Sequence, residues 1–263
     1  MKSLEQLARS ERLLVAVDFD GTIAPIVPHP DQAKPLPESL QALEALSRLP
    51  DTVLAVVSGR DLLDLQARLE GFPDCWFSAS HGRVIVGPGE VAPRMGPDPR
   101  LEVFRICHLL PGIRRETKDH SVAFHWRGRD QGVPVGWIHD IQAKAERLGL
   151  VIQEGRQVIE ILTPGSSKVD ALRELTRLCK PSAIVYAGDD RTDQAAIVEA
   201  SESGRGIFLS SGEFAWLPPS DVLVLDSPES LAIWLSRLAR ERSLAQSYSL
   251  PDTANLPSAG DRP

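Results

Sequence analysis

The sequence predicts an α/β fold: a Rossmann-like, parallel sheet covered by helices, with a small α/β unit inserted part-way along the chain. Three observations carry this. Short apolar runs at residues 13–17, 53–57 and 183–187 each end in a polar cluster. Apolar runs of that length without alternation belong to strands buried on both faces. Segments with leucines at helical spacing separate the runs, as a parallel sheet requires. The alternation breaks after the connector Gly87-Pro88-Gly89 to Pro99 and resumes after residue 162.

The first strand, Leu13-Leu14-Val15-Ala16-Val17, runs into Asp18-Phe19-Asp20-Gly21-Thr22. Five prolines follow (Pro25, Pro28, Pro30, Pro35, Pro37), then Leu36, Leu40, Leu43 and Leu46 at helical spacing, with Pro37 suited to a first turn. The strand at 53–57 ends in Ser58-Gly59-Arg60; a helix over 61–70 stops at Gly71, and a short strand ends near Ser78 before Ser80-His81-Gly82. Residues 1–84 form the first part of the core on this reading, and 85–162 the insertion.

Within the insertion, residues 113–118 and 121–127 read as strands about a turn at Asp119-His120. Val122, Phe124 and Trp126 share one face of the second strand; Ser121, Ala123, His125 and Arg127 share the other. A helix (Trp137, Ile138, Ile141, Ala145, Leu148) and a hairpin about 154–156 complete the unit. The core resumes over 163–243: a loop at 163–167, a helix opened by Lys168, the strand 183–187, a helix over 192–200, strands at 206–209 and 222–225, and a helix over 230–240. Residues 244–263 are expected to be a disordered tail, poor in apolar residues.

The 263 residues carry 42% hydrophobic and 25% charged side chains, an ordinary globular balance. A net charge of -7 argues against a nucleic-acid surface, and the sequence shows no span of apolar residues long enough for a membrane. Cys75, Cys107 and Cys179 lack metal or redox spacing and read as free thiols, in keeping with a cytoplasmic location. His120 and His125 have no partners at zinc spacing.

Ligands of parallel sheets bind beyond the carboxyl ends of the strands. Asp18 and Asp20 stand at one such end, and Gly188-Asp189-Asp190-Arg191-Thr192-Asp193 at another. Carboxylates gathered in one place repel and call for a compensating charge, which a divalent metal with oxygen ligands supplies. The tip Ser58-Gly59-Arg60 offers a hydroxyl, and Lys168 an ammonium.

Asp18-Phe19-Asp20-Gly21-Thr22 resembles the first motif of the haloacid-dehalogenase-like (HAD) phosphatases. Ser58, Lys168 and the Gly188–Asp193 string follow in the order of that family's other three motifs. The resemblance implies Asp18 as nucleophile and Asp20 as acid/base. It implies Mg²⁺ at the set Asp18, Asp20 (through its carbonyl), Asp189 and Asp193, with Asp193 or Asp190 orienting Lys168 or a metal-bound water. Lys168, Ser58, Gly59, Arg60 and the amides near Gly21 and Thr22 would meet the phosphate. The insertion resembles the family's type-two cap.

Within the superfamily the chain is similar to the trehalose-6-phosphate phosphatases. The strings are those above with Ser80-His81-Gly82, Glu116-Thr117-Lys118 and His125-Trp126-Arg127. This implies Mg²⁺-dependent hydrolysis of a phosphorylated disaccharide, with Glu116 and Lys118 reaching the sugar from the cap and His81, His125 and Glu160 in the same substrate-binding set. Three positions depart from that family's usual pattern: Leu162 stands for Arg, Val169 for Gly and Gln194 for Glu. They leave the nucleophile, acid and metal ligands intact and bear on the substrate. The alternatives are another sugar phosphate, a non-catalytic sensor, or a hexose phosphomutase using Arg114 and Arg115 as a second phosphate clamp.

Overall fold

In a computed structural model, the described residues are 2–72, 74–91, 96–127, 132–155, 157–164, 167–210 and 215–247. In chain order the elements are α1 (Leu4–Ala8), β1 (Leu13–Val17), α2 (Pro37–Ser47), β2 (Thr52–Val57), α3 (Leu62–Arg68), β3 (Cys75–Ala79), β4 (Val84–Val86), α4 (Glu102–Arg105), β5 (Arg114–Thr117), β6 (Ser121–His125), α5 (Val135–Arg147), β7 (Val151–Gly155), β8 (Val158–Leu162), α6 (Lys168–Cys179), β9 (Ala183–Gly188), α7 (Gln194–Ser203), β10 (Arg205–Leu209), β11 (Leu223–Leu225) and α8 (Pro228–Ser247).

Seven strands form the large sheet in the order β11-β10-β9-β1-β2-β3-β4, parallel except for β4. All five residues of β1 are buried because both faces of the sheet are covered. Leu13, Val15 and Val17 pack with Leu43 and Leu46 of α2 and Leu231, Leu235 and Leu238 of α8. Leu14 and Ala16 face the other way, onto Leu172 and Leu175 of α6 and Ala196 and Ile197 of α7. Val17 pairs with Val56 on one side and Ala187 on the other, so β1, β2 and β9 end at one level.

The second sheet has four antiparallel strands in the order β5-β6-β8-β7. Val122, Phe124, Ile159 and Ile161 put one face against Phe104, Ile141 and Ala145. Phe124 meets Trp137 edge-on at 5.5 Å between centroids. Ser121 and Ala123 on the opposite face are buried too.

Four differences from the sequence expectation have physical causes. The expected core limit at residue 84 cuts β4, which is the antiparallel edge strand of the large sheet and pairs Val86 with Phe77. A three-residue strand gives no periodicity to read. Helix α1 was not anticipated, although Ser3 and Gln6 form a complete capping box at its start. The expected tail from 244 is helical up to Ser247, and α8 was expected to end at 240. Arg242 explains the extension. Its guanidinium is buried at the core phase of α8 and donates to the carbonyls of Ala8, Ser10, Pro50 and Asp51 and to Thr52 Oγ1, at 2.7–3.2 Å. A charged residue breaks the apolar stripe in the sequence while serving the same packing face. The expected tail from 248 onward, the hairpin position 156 and the loop positions 165 and 166 lie outside the described residues.

Arg242→Ala is expected to lower stability by roughly 2–4 kcal/mol, because buried carbonyls lose their donor. Urea unfolding checks this, and an unchanged midpoint would remove Arg242 from its clamping role.

Candidate active site

Asp18 follows β1 directly, and its amide donates to Ala187 O of β9 at 2.9 Å. Asp189 follows β9, and Asp193 closes the turn Arg191–Asp193 that leads into α7. Oxygens of Asp18, Asp189 and Asp193 lie within 4.8 Å of one another, and all three side chains are buried. Gly21 makes the approach possible: at φ 77°, a Cβ there would lie 2.0 Å from Asp189 Oδ2.

Lys168 is the first residue of α6, whose N-cap Ser167 accepts from Asp170 N. Its ammonium sits 2.8 Å from Asp18 Oδ1 and 2.9 and 3.0 Å from the two oxygens of Asp193. Burial works against the ammonium, but Asp18 and Asp193 outweigh it and hold Lys168 above its ordinary value. Burial pushes the Asp18 carboxyl up, Lys168 pulls it back, and repulsion from Asp193 adds to the rise, to about 8. Asp189 rises to about 9, through burial first and then repulsion from Asp18 and Asp193. Were all three carboxyls ionised, the single ammonium would leave two negative charges in excess, and that repulsion contributes to the upward shifts of Asp18 and Asp189. This donor set fits a hard divalent cation with oxygen ligands.

Asp193 takes no simple part in that set. Its Oδ1 accepts from Lys168 and from the buried Tyr186 hydroxyl at 2.7 Å; its Oδ2 accepts from Lys168 and from Asp190 N at 3.2 Å. Those four contacts fill a carboxylate's acceptor sites. Asp193 therefore anchors Lys168, and Asp18 and Asp189 are the carboxylates placed to face a metal. Asp190 caps the turn through Arg191 N at 2.6 Å. Tyr186 was missed in the sequence, where the signal was a hydroxyl in an otherwise apolar strand.

Asp20 points elsewhere. Arg60 Nε and an Arg60 terminal nitrogen each donate to its carboxylate at 2.7 Å, and the guanidinium also reaches Asp64 at 2.6 Å and Pro30 O at 2.7 Å. The guanidinium stands 5.0 Å over the Phe19 ring. Arg60, expected at the phosphate, is thus engaged by Asp20 and Asp64. The amides of Gly21 and Thr22, also expected there, donate to Ala24 O and Phe19 O within the turn. Thr22 Oγ1 is buried without a hydrogen-bond partner among the described residues. Ser58 is buried at the end of β2, and its hydroxyl oxygen accepts from Arg60 N at 3.2 Å, leaving its O–H to donate.

The second sheet meets this region through charged side chains. Lys118 Nζ donates to Gly59 O at 3.0 Å and lies 3.6 Å from Glu160 and 3.7 Å from Glu116. Glu160 accepts from Ser121 Oγ at 2.5 Å and pairs with His81 Nε2 at 3.2 Å. Burial would raise Glu160, but Lys118 and His81 hold it well below its ordinary value. Glu116 pairs with His125 at 2.9 Å. The His81 ring lies over Gly59, where a Cβ would come within 2.4 Å of it. Glu116, Lys118, His81, His125 and Glu160 thus gather between the sheets, joined by Ser121, whose short side chain gave no sequence signal. Arg115, half of the expected second clamp, is tied to Phe104 O and Cys107 O.

A sequence model of the family described as trehalose-phosphatase matches residues 16–99 and 101–208. The chain belongs to the trehalose-phosphatase family. Among relatives in the family, the trehalose-phosphate phosphatase of Mycobacterium marinum is 31% identical over 264 residues, covering 92% of this chain and 66% of that protein. The bifunctional trehalose-6-phosphate synthase/phosphatase of Thermoproteus tenax is 30% identical over 222 residues, 80% of this chain and 30% of that one. The chain thus spans just under two thirds of the first relative's length. Among solved structures, the C-terminal domain of Candida albicans trehalose-6-phosphate phosphatase superposes with a TM-score of 0.72 at 20% identity, covering 90% of this chain and 95% of that one. A phosphatase of the haloalkanoate (HAD) superfamily from Bacteroides thetaiotaomicron gives 0.60 at 14% identity, over 86% and 95%. The trehalose-phosphatase family member thus has the HAD fold, a Rossmann-like core with an added α/β unit.

The raised carboxyls predict a pH dependence. In the unfolded chain Asp18 and Asp189 titrate near 3.8; in the folded chain they keep their protons up to about 8 and about 9. Between those limits the native state binds more protons, so stability falls as pH rises. Metal-free protein is expected to melt lower at about pH 8 than at about pH 5.5, with a shallower slope in Asp189→Asn, and a divalent cation is expected to restore more at the higher pH. Calorimetric melting across that window checks this; equal slopes in the two proteins would contradict the assignment.

Proposed function

We propose that the chain hydrolyses trehalose 6-phosphate to trehalose and inorganic phosphate, with Mg²⁺, through a phosphorylated Asp18. The observation that carries this is the buried contact of Asp18 with Lys168 beside Asp189, at the mouth of a sheet whose Asp18–Thr22 and Gly188–Asp193 strings fall inside the family match. Relatives named for trehalose-phosphate dephosphorylation support the substrate.

On this reading an Asp18 oxygen attacks phosphorus, the bond from phosphorus to the sugar oxygen breaks, and Asp20 gives that oxygen a proton. Asp20 then takes a proton from the water that attacks phosphorus, and the bond between phosphorus and Asp18 breaks, returning the carboxylate. Asp20 can do this only after leaving Arg60, since both of its carboxylate oxygens accept from that guanidinium. Substrate entry supplies the exchange: the phosphate brings negative charge near Arg60, and Asp20 turns toward the leaving oxygen. Lys168, held by Asp193, offsets charge on the phosphoryl oxygens, and Ser58 donates its O–H to one of them. Bound Mg²⁺, held by Asp18, Asp189 and the Asp20 carbonyl, would supply charge neutralisation and polarisation of the phosphoryl group. Glu116, Lys118 and Glu160 would take sugar hydroxyls as charge-assisted hydrogen-bond partners.

Phosphate release from trehalose 6-phosphate, glucose 6-phosphate and sucrose 6-phosphate, with Mg²⁺ or with EDTA, tests the reading. Release is expected from the trehalose ester, lost in EDTA, and much slower from the other two. Equal rates on all three would overturn the substrate. Asp18→Asn is expected to lower kcat by roughly 10⁴-fold or more with little change in melting temperature. A smaller loss would remove Asp18 as nucleophile. Asp20→Asn is expected to slow turnover strongly and to let radiolabelled phosphate persist on the protein; normal steady-state turnover would exclude it as acid/base.

A further inference from the structure

The proposed reaction gives no role to Asp64, although this carboxylate shares a guanidinium with the acid/base. Asp64 is spaced i,i+4 from Arg60 on one side and from Arg68 on the other, the spacing that brings side chains of a helix together. Its Oδ2 accepts from Arg60 at 2.6 Å, and both of its oxygens accept from Arg68 Nε at 2.9 Å. Arg68 is fixed in turn by the carbonyls of Asp31 and Ala33. Charges therefore alternate along a row, Asp20–Arg60–Asp64–Arg68, whose far end is tied to the segment between β1 and α2. Burial would raise the Asp64 carboxyl, but hydrogen bonds from Arg68 and Arg60 hold it below its ordinary value, so it stays ionised.

The contacts of Arg60 divide into two sets. Nε and one terminal nitrogen serve Asp20, and the same terminal nitrogen reaches Pro30 O at 2.7 Å. The other terminal nitrogen serves Asp64, and the guanidinium lies over the Phe19 ring. When Asp20 departs, Asp64, Pro30 O and Phe19 remain, so the guanidinium is still paired and still in place. Asp64 also loosens the hold on Asp20, because two carboxylates on one guanidinium repel each other across it. A neutral side chain at 64 would leave the buried Arg60 dependent on Asp20 for its counter-charge among the described residues. Breaking that pair would then strand a buried charge.

We propose that Asp64, braced by Arg68, is a positioning residue for the acid/base: it shares the Arg60 charge with Asp20 and keeps the guanidinium seated when Asp20 turns to the leaving oxygen. The proposal rests on Asp20 as acid/base in the proposed function.

The sharing has a signature that needs no turnover. Urea unfolding is compared for the unaltered chain, Asp20→Asn, Asp64→Asn and the double variant. The rise in the unfolding constant caused by Asp20→Asn is expected to be about threefold or more larger in the Asp64→Asn background than in the unaltered chain. An equal or smaller rise would overturn the proposal.

Kinetics of the single variants give a second readout. On trehalose 6-phosphate, Asp64→Asn is expected to lower kcat about tenfold with KM within about twofold, and Asp64→Glu to recover most of the loss. On p-nitrophenyl phosphate, release of nitrophenolate in the first turnover is expected to stay within about twofold, because that leaving group departs without a proton from Asp20. A first turnover slowed as much as kcat would make Asp64 a merely structural residue and overturn the proposal, as would an unchanged kcat. Asp20→Asn measured alongside separates the two readings. Normal turnover in Asp20→Asn refutes the acid/base assignment and this proposal together; slow turnover there beside normal turnover in Asp64→Asn refutes this proposal alone. Should the unaltered chain turn over neither ester, the proposed function fails by itself, and the unfolding cycle decides whether Asp64 shares Arg60 with Asp20.

Discussion

One buried ammonium among three carboxylates organises this molecule. Lys168 is nearly inaccessible to water, as are Asp18, Asp189 and Asp193 around it. Removing such charges from water is costly, and the cost is tolerated only where partners are close and well aligned. The three parallel strands supply the alignment. Because β1, β2 and β9 end at one level, the residues after them arrive together without long loops. The uninterrupted apolar strands, with helices on both faces, are what make that level rigid. Chemistry and packing are thus one problem: the sheet must be buried for its tips to be held, and the tips carry charge that burial penalises.

The second charge system is of a different kind. Asp20 and Asp64 are partly exposed, and the buried Arg60 is shared between these two carboxylates and a carbonyl. Exposure of the Asp20 side of the pair lets water compete for its carboxylate. A deeply buried anchor therefore sits next to a looser pair, and the acid/base assignment falls on the looser one. Between the sheets, Lys118 touches the Gly59 carbonyl and Glu160 touches His81. The loop after β2 thus lies between Asp20 and the smaller sheet and is bonded to both.

Most of the fold was legible because its strands follow simple rules. Residues 13–17, 53–57 and 183–187 carry no polar side chain apart from Tyr186, and helical leucine spacing separates them. The site motifs were legible for the same reason, since they stand where the apolar runs stop. What escaped lacks a period or inverts a rule. β4 is too short to have one, and Arg242 places charge on a buried face. Spacing also cannot tell which partner a side chain selects. Arg60 was expected at the phosphate and holds Asp20; Asp193 was expected among the metal ligands or orienting Lys168, and it bonds Lys168, Tyr186 and Asp190 while standing in the acidic group with Asp18 and Asp189. Those choices depend on residues distant in sequence.

The Arg242 clamp also fixes where the two ends of the folded region meet. Its acceptors precede β1 and β2, so they lie at the amino-terminal edge of the sheet, across from the carboxyl tips that hold Asp18. The first helix and the last are fastened to the same corner. A polypeptide joined at either end would therefore attach on the side away from Asp18 and Asp189. Such an attachment leaves the carboxyl tips of β1, β2 and β9 uncovered.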